Sequence, residues 1–180
     1  MEKIRFVILF TVIALLFTPA CVKTYNDLLA PVKKEMRSGD YKKALTFFKK
    51  ASSLYNKIGD RVSYAYTLWS MGTTYKMLGD YESASGYFKV SQEMFKKTKD
   101  PRGLIYCRLG LGELALLKGR KNRAEKYFTE AVANAKKYGF KVEKCHAEIL
   151  FSSLSGEIKS VCYNKLGLKL SFGSLPFNLP

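Results

Sequence analysis

The chain repeats itself with a fixed period of forty residues. The stretch SGDYKKALTFF at Ser38–Phe48 returns as LGDYESASGYF at Leu78–Phe88 and as KGRKNRAEKYF at Lys118–Phe128. A constant period of this size is typical of solenoids, in which each unit packs only on its neighbours. We therefore expect a stack of similar units.

Small and aromatic residues recur at the same points of each unit. Alanine, phenylalanine and then alanine or serine follow one another at spacings of four and three, which places them on one face of a helix. In the preceding half of the unit, Gly72 and Gly112 share a position where a small residue lets two antiparallel helices approach closely. The recurring residues of the second half are Ala44, Ala84 and Ala124; Phe48, Phe88 and Phe128; and Ala51, Ser91 and Ala131.

This pattern resembles the tetratricopeptide repeat, a helix-turn-helix unit. The forty-residue period is a longer variant of the usual 34 residues, and the family's terminal proline is replaced by Asn56, Lys96 and Lys136. The resemblance implies an all-α fold, a right-handed α-solenoid of antiparallel helix pairs. The matching residues are Leu68, Met71, Gly72, Tyr75, Ala84, Phe88 and Ser91 in the second unit, and Leu111, Gly112, Ala124, Phe128 and Ala131 in the third.

Glycine, aspartate and proline mark the expected helix ends. Gly39, Gly79 and Gly119 are expected to end first helices in the left-handed conformation, and Asp40 and Asp80 to cap the second helices. Pro31, beside Val32 at the glycine position of the first unit, predicts a first helix that is kinked or starts late. The predicted helices span 22–38, 41–58, 61–78, 81–98, 101–118, 121–138 and 141–155.

The N-terminus has a different composition from the repeats. A short basic start leads into an apolar run at Phe6–Phe17 and a small-residue exit, the layout of a secretory signal peptide. The segment resembles a bacterial lipoprotein signal, which implies lipidation of Cys21, while Thr18–Ala20 also suits an ordinary signal peptidase. We therefore expect an exported protein, either periplasmic or an outer-membrane lipoprotein. The predicted organisation is a signal peptide at 1–20, a repeat domain at 21–166 (blocks 21–60, 61–100 and 101–140, capping block 141–166) and an apolar tail at 167–180.

By resemblance, the first helix of each pair lines a concave groove and the second helix forms the convex back. The groove would be rich in aromatic side chains and poor in charge, which suits a peptide segment held by apolar anchors. The alternative is that some residues on this face of the first helices, Leu109 and Ile149 above all, pack against neighbouring helices. The groove residues implied by the resemblance are Asn26, Tyr66, Trp69, Tyr106, Leu109 and His146.

The formal net charge of +16 is concentrated on the second helices. A basic convex face either keeps the protein soluble or attracts an anionic membrane or cell-wall polymer. Nucleic acid is not expected as a partner, because no motif that reads it is present. The basic residues are Lys42, Lys43, Lys49, Lys50, Arg120, Lys121, Arg123 and Lys126.

The sequence contains no pattern typical of an enzyme. It has a single histidine, His146, and no paired metal-ligand spacing or nucleophile elbow, so we expect no metal, no cofactor and no catalytic residue. Cys145 is interpreted as a buried, inert thiol; Cys162 is expected to be exposed. A Cys107–Cys145 disulfide would demand an unusually close approach of two helices.

Two functions follow as hypotheses. The first is a non-enzymatic scaffold of the bacterial cell envelope that binds a protein segment in its groove. The second is an adaptor that docks its basic convex face on an anionic surface. Self-association is left open by the sequence, as is a role for the apolar tail.

Overall fold

The computed structural model describes residues 30–154, which form seven helices and no strand. The predicted helices 41–58 and 81–98 are confirmed to the residue, and the helices that begin at 61, 101, 121 and 141 end one to three residues earlier than predicted. The signal peptide, Asn26, Cys21, Cys162 and the tail lie outside the described residues. The helices are α1 (30–38), α2 (Tyr41–Ile58), α3 (Arg61–Met77), α4 (Tyr81–Thr98), α5 (Pro101–Leu117), α6 (Lys121–Lys137) and α7 (Lys141–Ser152).

The packing order of the helices makes the fold an α-solenoid. Each helix from α2 onward contacts the next helix in the chain, and the short connections make these neighbours antiparallel. The first helices α3, α5 and α7 also contact each other in sequence, whereas among the described helices the second helices α2, α4 and α6 do not. The first helices therefore form the inner side of the stack and the second helices its outer side. The predicted all-α solenoid is confirmed.

Aspartate side chains begin four of the helices. Asp40, Asp60 and Asp80 each accept a hydrogen bond at 3.0 Å from the backbone N–H three residues ahead. Asp100 accepts from the N–H groups of Arg102 and Gly103 at 3.0 and 3.1 Å, and Pro101 fills the first turn of α5. Caps of this kind stabilise a helix by about 1 kcal/mol each. The predicted caps at Asp40 and Asp80 are confirmed.

The helix ends use the left-handed conformation at the predicted glycines. Gly39, Gly79 and Gly119 have φ of 79°, 79° and 69°. Lys99 also adopts this conformation, with φ of 55°, at the position that glycine holds one repeat before and after it. A residue with a Cβ is strained there. The sequence pattern of Asp100-Pro101 marks this join but does not reveal the strain.

The repeated phenylalanine of the second helix enters a gap that glycine leaves in the first helices. A methyl group placed on Gly72 of α3 would lie 2.8 Å from Phe88 Cδ1, and one placed on Gly110 of α5 would lie 2.7 Å from Phe88 Cζ. The ring of Phe88 is completely buried between these two helices. Phe128 likewise meets the glycine position of its own pair, Gly112. Glycine is thus required for the close approach.

In the first described helix pair, α1 and α2, the helices pack together without a glycine at this position. Val32 occupies the glycine position and is buried in a cluster with Ala44, Phe48 and Met71. Residues 30–38 are helical, so Val32 lies within a helix. The predicted late start or kink at Pro31 concerns a helix start that lies outside the described residues.

Replacing Gly72 by alanine should lower the free energy of unfolding. The new methyl group would overlap the buried Phe88 ring, and overpacking of this kind costs about 1–3 kcal/mol. Gly86 is the matched control, because it also lies inside a helix but a methyl group added to it would have no other side chain within 4 Å. Gly86→Ala should raise the free energy of unfolding by about 0.5–1 kcal/mol through helix propensity. Urea denaturation measures the free energy of unfolding of both variants. Equal stabilisation of the two variants would contradict the predicted overlap with Phe88.

Candidate functional site

The inner side of the solenoid carries the predicted groove residues on α3, α5 and α7. Tyr66, Trp69 and Leu109 are buried, with 8%, 5% and 3% of their surface exposed, while Tyr106 and His146 are partly buried. The structure thus brings these five residues onto one side, but much of their surface packs against neighbouring helices. Tyr106 and His146 offer the more accessible surface.

The two tyrosines among these residues join neighbouring repeats through hydrogen bonds. The Tyr66 hydroxyl donates a hydrogen bond to Asp100 Oδ2 at 2.8 Å, and the Tyr106 hydroxyl donates to Glu143 Oε1 at 2.8 Å. Burial, followed by the hydrogen bond to Asp100, raises the pKa of Tyr66 well above its usual range, and burial beside Glu143 does the same to the pKa of Tyr106. Both hydroxyls are therefore protonated at neutral pH and engaged within the protein.

The aromatic rings form one continuous cluster across two repeats. Tyr66 meets Phe95 edge to face with ring centres 4.7 Å apart, and Tyr106 lies 6.4 Å from Tyr66 and 5.2 Å from Trp69. Edge-to-face and tilted pairs at these separations are favourable. The cluster fixes the orientation of Trp69 and Tyr106 on the inner side.

The charged groups near these rings are paired with each other. Lys76 Nζ of α3 lies 2.6 Å from Glu113 Oε2 of α5, and Arg102 Nε lies 3.1 Å from Glu143 Oε1 of α7. Each pair joins the first helices of adjacent repeats. The inner side consequently presents little uncompensated charge where these pairs lie.

A small cavity opens between the paired charges and the aromatic cluster. Its volume is about 10 Å³, close to the space that one water molecule needs. It lies between the first helices α3, α5 and α7. Its lining residues are Trp69, Thr73, Tyr106, Leu109, Gly110, Glu113 and His146.

Some residues of this site lie outside the groove residues named above. The resemblance to the tetratricopeptide repeat also implies a groove row that contains Thr73 and Glu113, but their place in a shared cavity depends on how far adjacent helices shift along each other. Gly110 looks like a packing glycine in the sequence, yet it both contacts Phe88 and lines the cavity. A search for opposite charges one repeat apart would have found Lys76 and Glu113.

The eight basic residues predicted for the convex face are all exposed. Seven of them belong to the outer helices α2 and α6, and Arg120 is the N-cap residue of α6. The nearest ion-pair contacts of this group are loose, with Lys43 Nζ 3.8 Å from Asp40 Oδ2 and 3.9 Å from Glu35 Oε2. Their charge therefore remains available to solvent.

The two described cysteines are both buried but differ in chemistry. Cys107 is a free thiol that donates to Ser91 Oγ at 3.5 Å, and burial raises its pKa to about 12. Cys145 is buried, as predicted, but it is disulfide-bonded, so its interpretation as a free thiol is wrong. Since Cys107 is free, no bridge joins it to Cys145.

Comparison with known families agrees with this architecture. Residues 35–97 match the tetratricopeptide repeat family model. The matched range runs from α1 through most of α4 and supports a tetratricopeptide-repeat assignment. Tetratricopeptide repeats generally mediate protein–protein interaction and are typically non-enzymatic. No curated protein matches the chain.

Two further properties of residues 30–154 bear on the site. These residues contain no group of three or more His, Cys, Asp or Glu side chains placed to hold a metal ion. None of their helices combines the length and the apolar character that crossing a membrane requires.

His146 should make the stability of the protein depend on pH. Burial lowers the pKa of His146 in the folded state, with Glu113 opposing and Lys76 adding to this effect. The unfolded chain, whose histidine has a pKa of about 6.5, therefore binds the proton first as the pH falls. The free energy of unfolding should decrease as the pH drops below about 6.5, until folded His146 also becomes protonated.

Denaturation of the protein and of His146→Gln between pH 7.5 and pH 5 measures this contribution. Because His146 is the single histidine of the chain, its contribution is the difference between the two curves. The variant should lose less stability than the parent over this range. Parallel curves would contradict a buried, uncharged imidazole.

Proposed function

We propose that this protein is a non-enzymatic interaction scaffold of the bacterial cell envelope that binds a peptide segment in its concave groove. The observation that carries the proposal is the aromatic cluster with paired charges on the inner side, where Trp69 and Tyr106 line a small cavity. The family match supports a protein partner in general. The assignment to the cell envelope rests on the N-terminal sequence, with its apolar run and Cys21.

The inner side has the features of a recognition surface. Aromatic residues that are already held in place lose little conformational freedom when a partner binds, and such residues dominate the energy of many interfaces. Tyr106 is fixed by its bond to Glu143, and His146 lies beside the same cavity. A segment lying along this side would cover both side chains.

Truncating the accessible groove residues should reduce partner capture. In Tyr106→Ala/His146→Ala, the loss of an aromatic anchor worth about 2 kcal/mol would weaken binding more than tenfold. The matched control is Tyr138→Ala, which removes an aromatic side chain with 46% of its surface exposed at the C-cap of the outer helix α6. Capture is measured by cross-linking in an envelope fraction and mass spectrometry, after circular dichroism has shown that both variants remain helical.

Equal capture by the two folded variants would exclude the groove as the binding surface. Loss with the control variant alone would place the partner on the outer side.

A second function is favoured by the exposure of all eight basic side chains on the convex side. In this alternative the protein docks its outer face on an anionic membrane or cell-wall polymer. Lipidation of Cys21 would also hold the protein on a membrane, so the two causes of membrane association need separate tests. They differ in their response to salt, because electrostatic attraction is screened and an acyl chain is not.

Membrane association of Cys21→Ser should separate these causes. If the acyl chain is responsible, the variant becomes soluble at every salt concentration, and this is the result we expect. If the basic face is responsible, Cys21→Ser binds phosphatidylglycerol vesicles at 0.1 M salt and is released at 1 M, where the screening length falls from about 10 Å to about 3 Å. Additional replacement of Lys42, Lys43, Lys49 and Lys50 by glutamine would then abolish vesicle binding.

A further inference from the structure

Two side chains that line the cavity on the inner side carry hydrogen-bonding groups that the described residues do not satisfy. Trp69 lines the cavity, and its Nε1–H is a buried donor with no acceptor among the described residues. Leaving a buried donor unpaired costs about 1–3 kcal/mol. Buried polar groups are nearly always satisfied, so this one indicates a missing partner.

The Thr73 hydroxyl is the second group without a hydrogen-bond partner among the described residues. The other hydroxyls nearby in α3 do have one. Within α3, the hydroxyls of Thr67, Ser70 and Thr74 each donate to the backbone carbonyl one turn earlier, at 2.8–2.9 Å. Thr73 is as buried as these residues, with 2% of its surface exposed, yet its hydroxyl makes no hydrogen bond within residues 30–154. It lies one helical turn beyond Trp69 and lines the same cavity.

The charges around the cavity indicate which kind of group could fill it. Glu113 is neutralised by Lys76 at 2.6 Å, and His146 is uncharged at neutral pH because burial lowers its pKa. A carboxylate placed here would find no free cation among the described residues that line the cavity and would lie near Glu113. A cation would find Glu113 already occupied. An uncharged hydrogen-bond acceptor needs no counter-charge and is not repelled by Glu113.

The size of the cavity limits which uncharged acceptor could enter it. About 10 Å³ accommodates a single water-sized group, which corresponds to one oxygen atom reaching inward. A carbonyl oxygen has this size and carries two lone pairs, so it can accept from both an indole N–H and a hydroxyl.

We propose that the cavity between α3, α5 and α7 binds one uncharged carbonyl oxygen of a bound peptide, with Trp69 Nε1–H and the Thr73 hydroxyl as its donors. The carbonyl belongs either to the peptide backbone or to a carboxamide side chain. This inference rests on the proposed function, because it assumes that a segment lies in the groove. It adds the chemistry by which the groove would select that segment.

The chain offers a direct probe, because Trp69 is its single tryptophan. The indole N–H resonance in a ¹H–¹⁵N spectrum therefore reports on this site without assignment. N,N-dimethylacetamide supplies a neutral carbonyl and no N–H donor, and sodium acetate at matched ionic strength supplies an anionic acceptor of similar size. The full chain is titrated with each.

Dimethylacetamide should shift the Trp69 indole proton downfield in a saturable way, with half-saturation at a concentration at least tenfold lower than for acetate. A shift that rises linearly and equals that of free N-acetyltryptophanamide would overturn the inference, since it would show solvent exposure alone. Tighter binding of acetate would overturn it as well, because the site would then select an anion. A protected indole that responds to neither compound would show a cavity filled by water only and would also overturn it.

Two adjacent threonines provide matched variants. Thr73→Val removes the unpaired hydroxyl at nearly constant volume, so it should weaken dimethylacetamide binding at least threefold without lowering the thermal midpoint. Thr74→Val removes a hydroxyl that donates to the Ser70 carbonyl at 2.8 Å; it should lower the midpoint but leave binding unchanged in the folded protein. Equal binding by the two variants would exclude Thr73 as a donor.

The outcomes also separate this inference from the proposed function. If dimethylacetamide does not bind while Tyr106→Ala/His146→Ala still loses its partner, the groove is supported as the binding surface and the carbonyl site is excluded. If dimethylacetamide binds while Tyr106→Ala/His146→Ala keeps its partner, the carbonyl site is supported and the groove is excluded as the interface.

Discussion

The insertion of a phenylalanine ring between glycine-bearing helices is the contact on which the rest of the structure depends. Phe88 fills the space left by Gly72 in its own pair and by Gly110 in the next pair, so one side chain joins two repeats. Interiors packed to this density tolerate little change in volume. The contact therefore sets how close α3 and α5 approach α4, and with it the spacing of the inner helices.

That spacing makes the polar contacts of the inner side possible. Asp100 both caps α5 and accepts the Tyr66 hydroxyl of the preceding repeat, so the start of one helix is fixed to the middle of another. Tyr106 repeats this hydroxyl-to-carboxylate contact one unit later with Glu143, which lies within the first turn of α7 and does not cap it. The Lys76–Glu113 and Arg102–Glu143 pairs leave little uncompensated charge around the aromatic cluster, while the outer helices keep their exposed lysines and arginines.

The functional inference depends on this difference between the two sides. The outer side offers exposed charge, which suits contacts of low specificity. The inner side offers fixed rings and a small cavity lined by Trp69 and Thr73, which suits selection of a particular chemical group. Tetratricopeptide repeats generally bind proteins, and the cavity is the point where this chain would add its own specificity.

The sequence by itself determined the helices, their order and the face each one buries, because the forty-residue period, the capping aspartates and the glycines act locally or between adjacent units. The resemblance to the tetratricopeptide repeat also implied that Trp69, Tyr106 and His146 lie on one side. Only the tertiary structure decided that Tyr66 and Trp69 are largely buried against neighbouring helices, as the sequence had allowed for Leu109. It also decided that Thr73 and Glu113 share a cavity with Trp69, and that Lys76 neutralises Glu113. These facts depend on shifts of a few ångströms between helices, which side-chain volumes set collectively and no periodicity encodes.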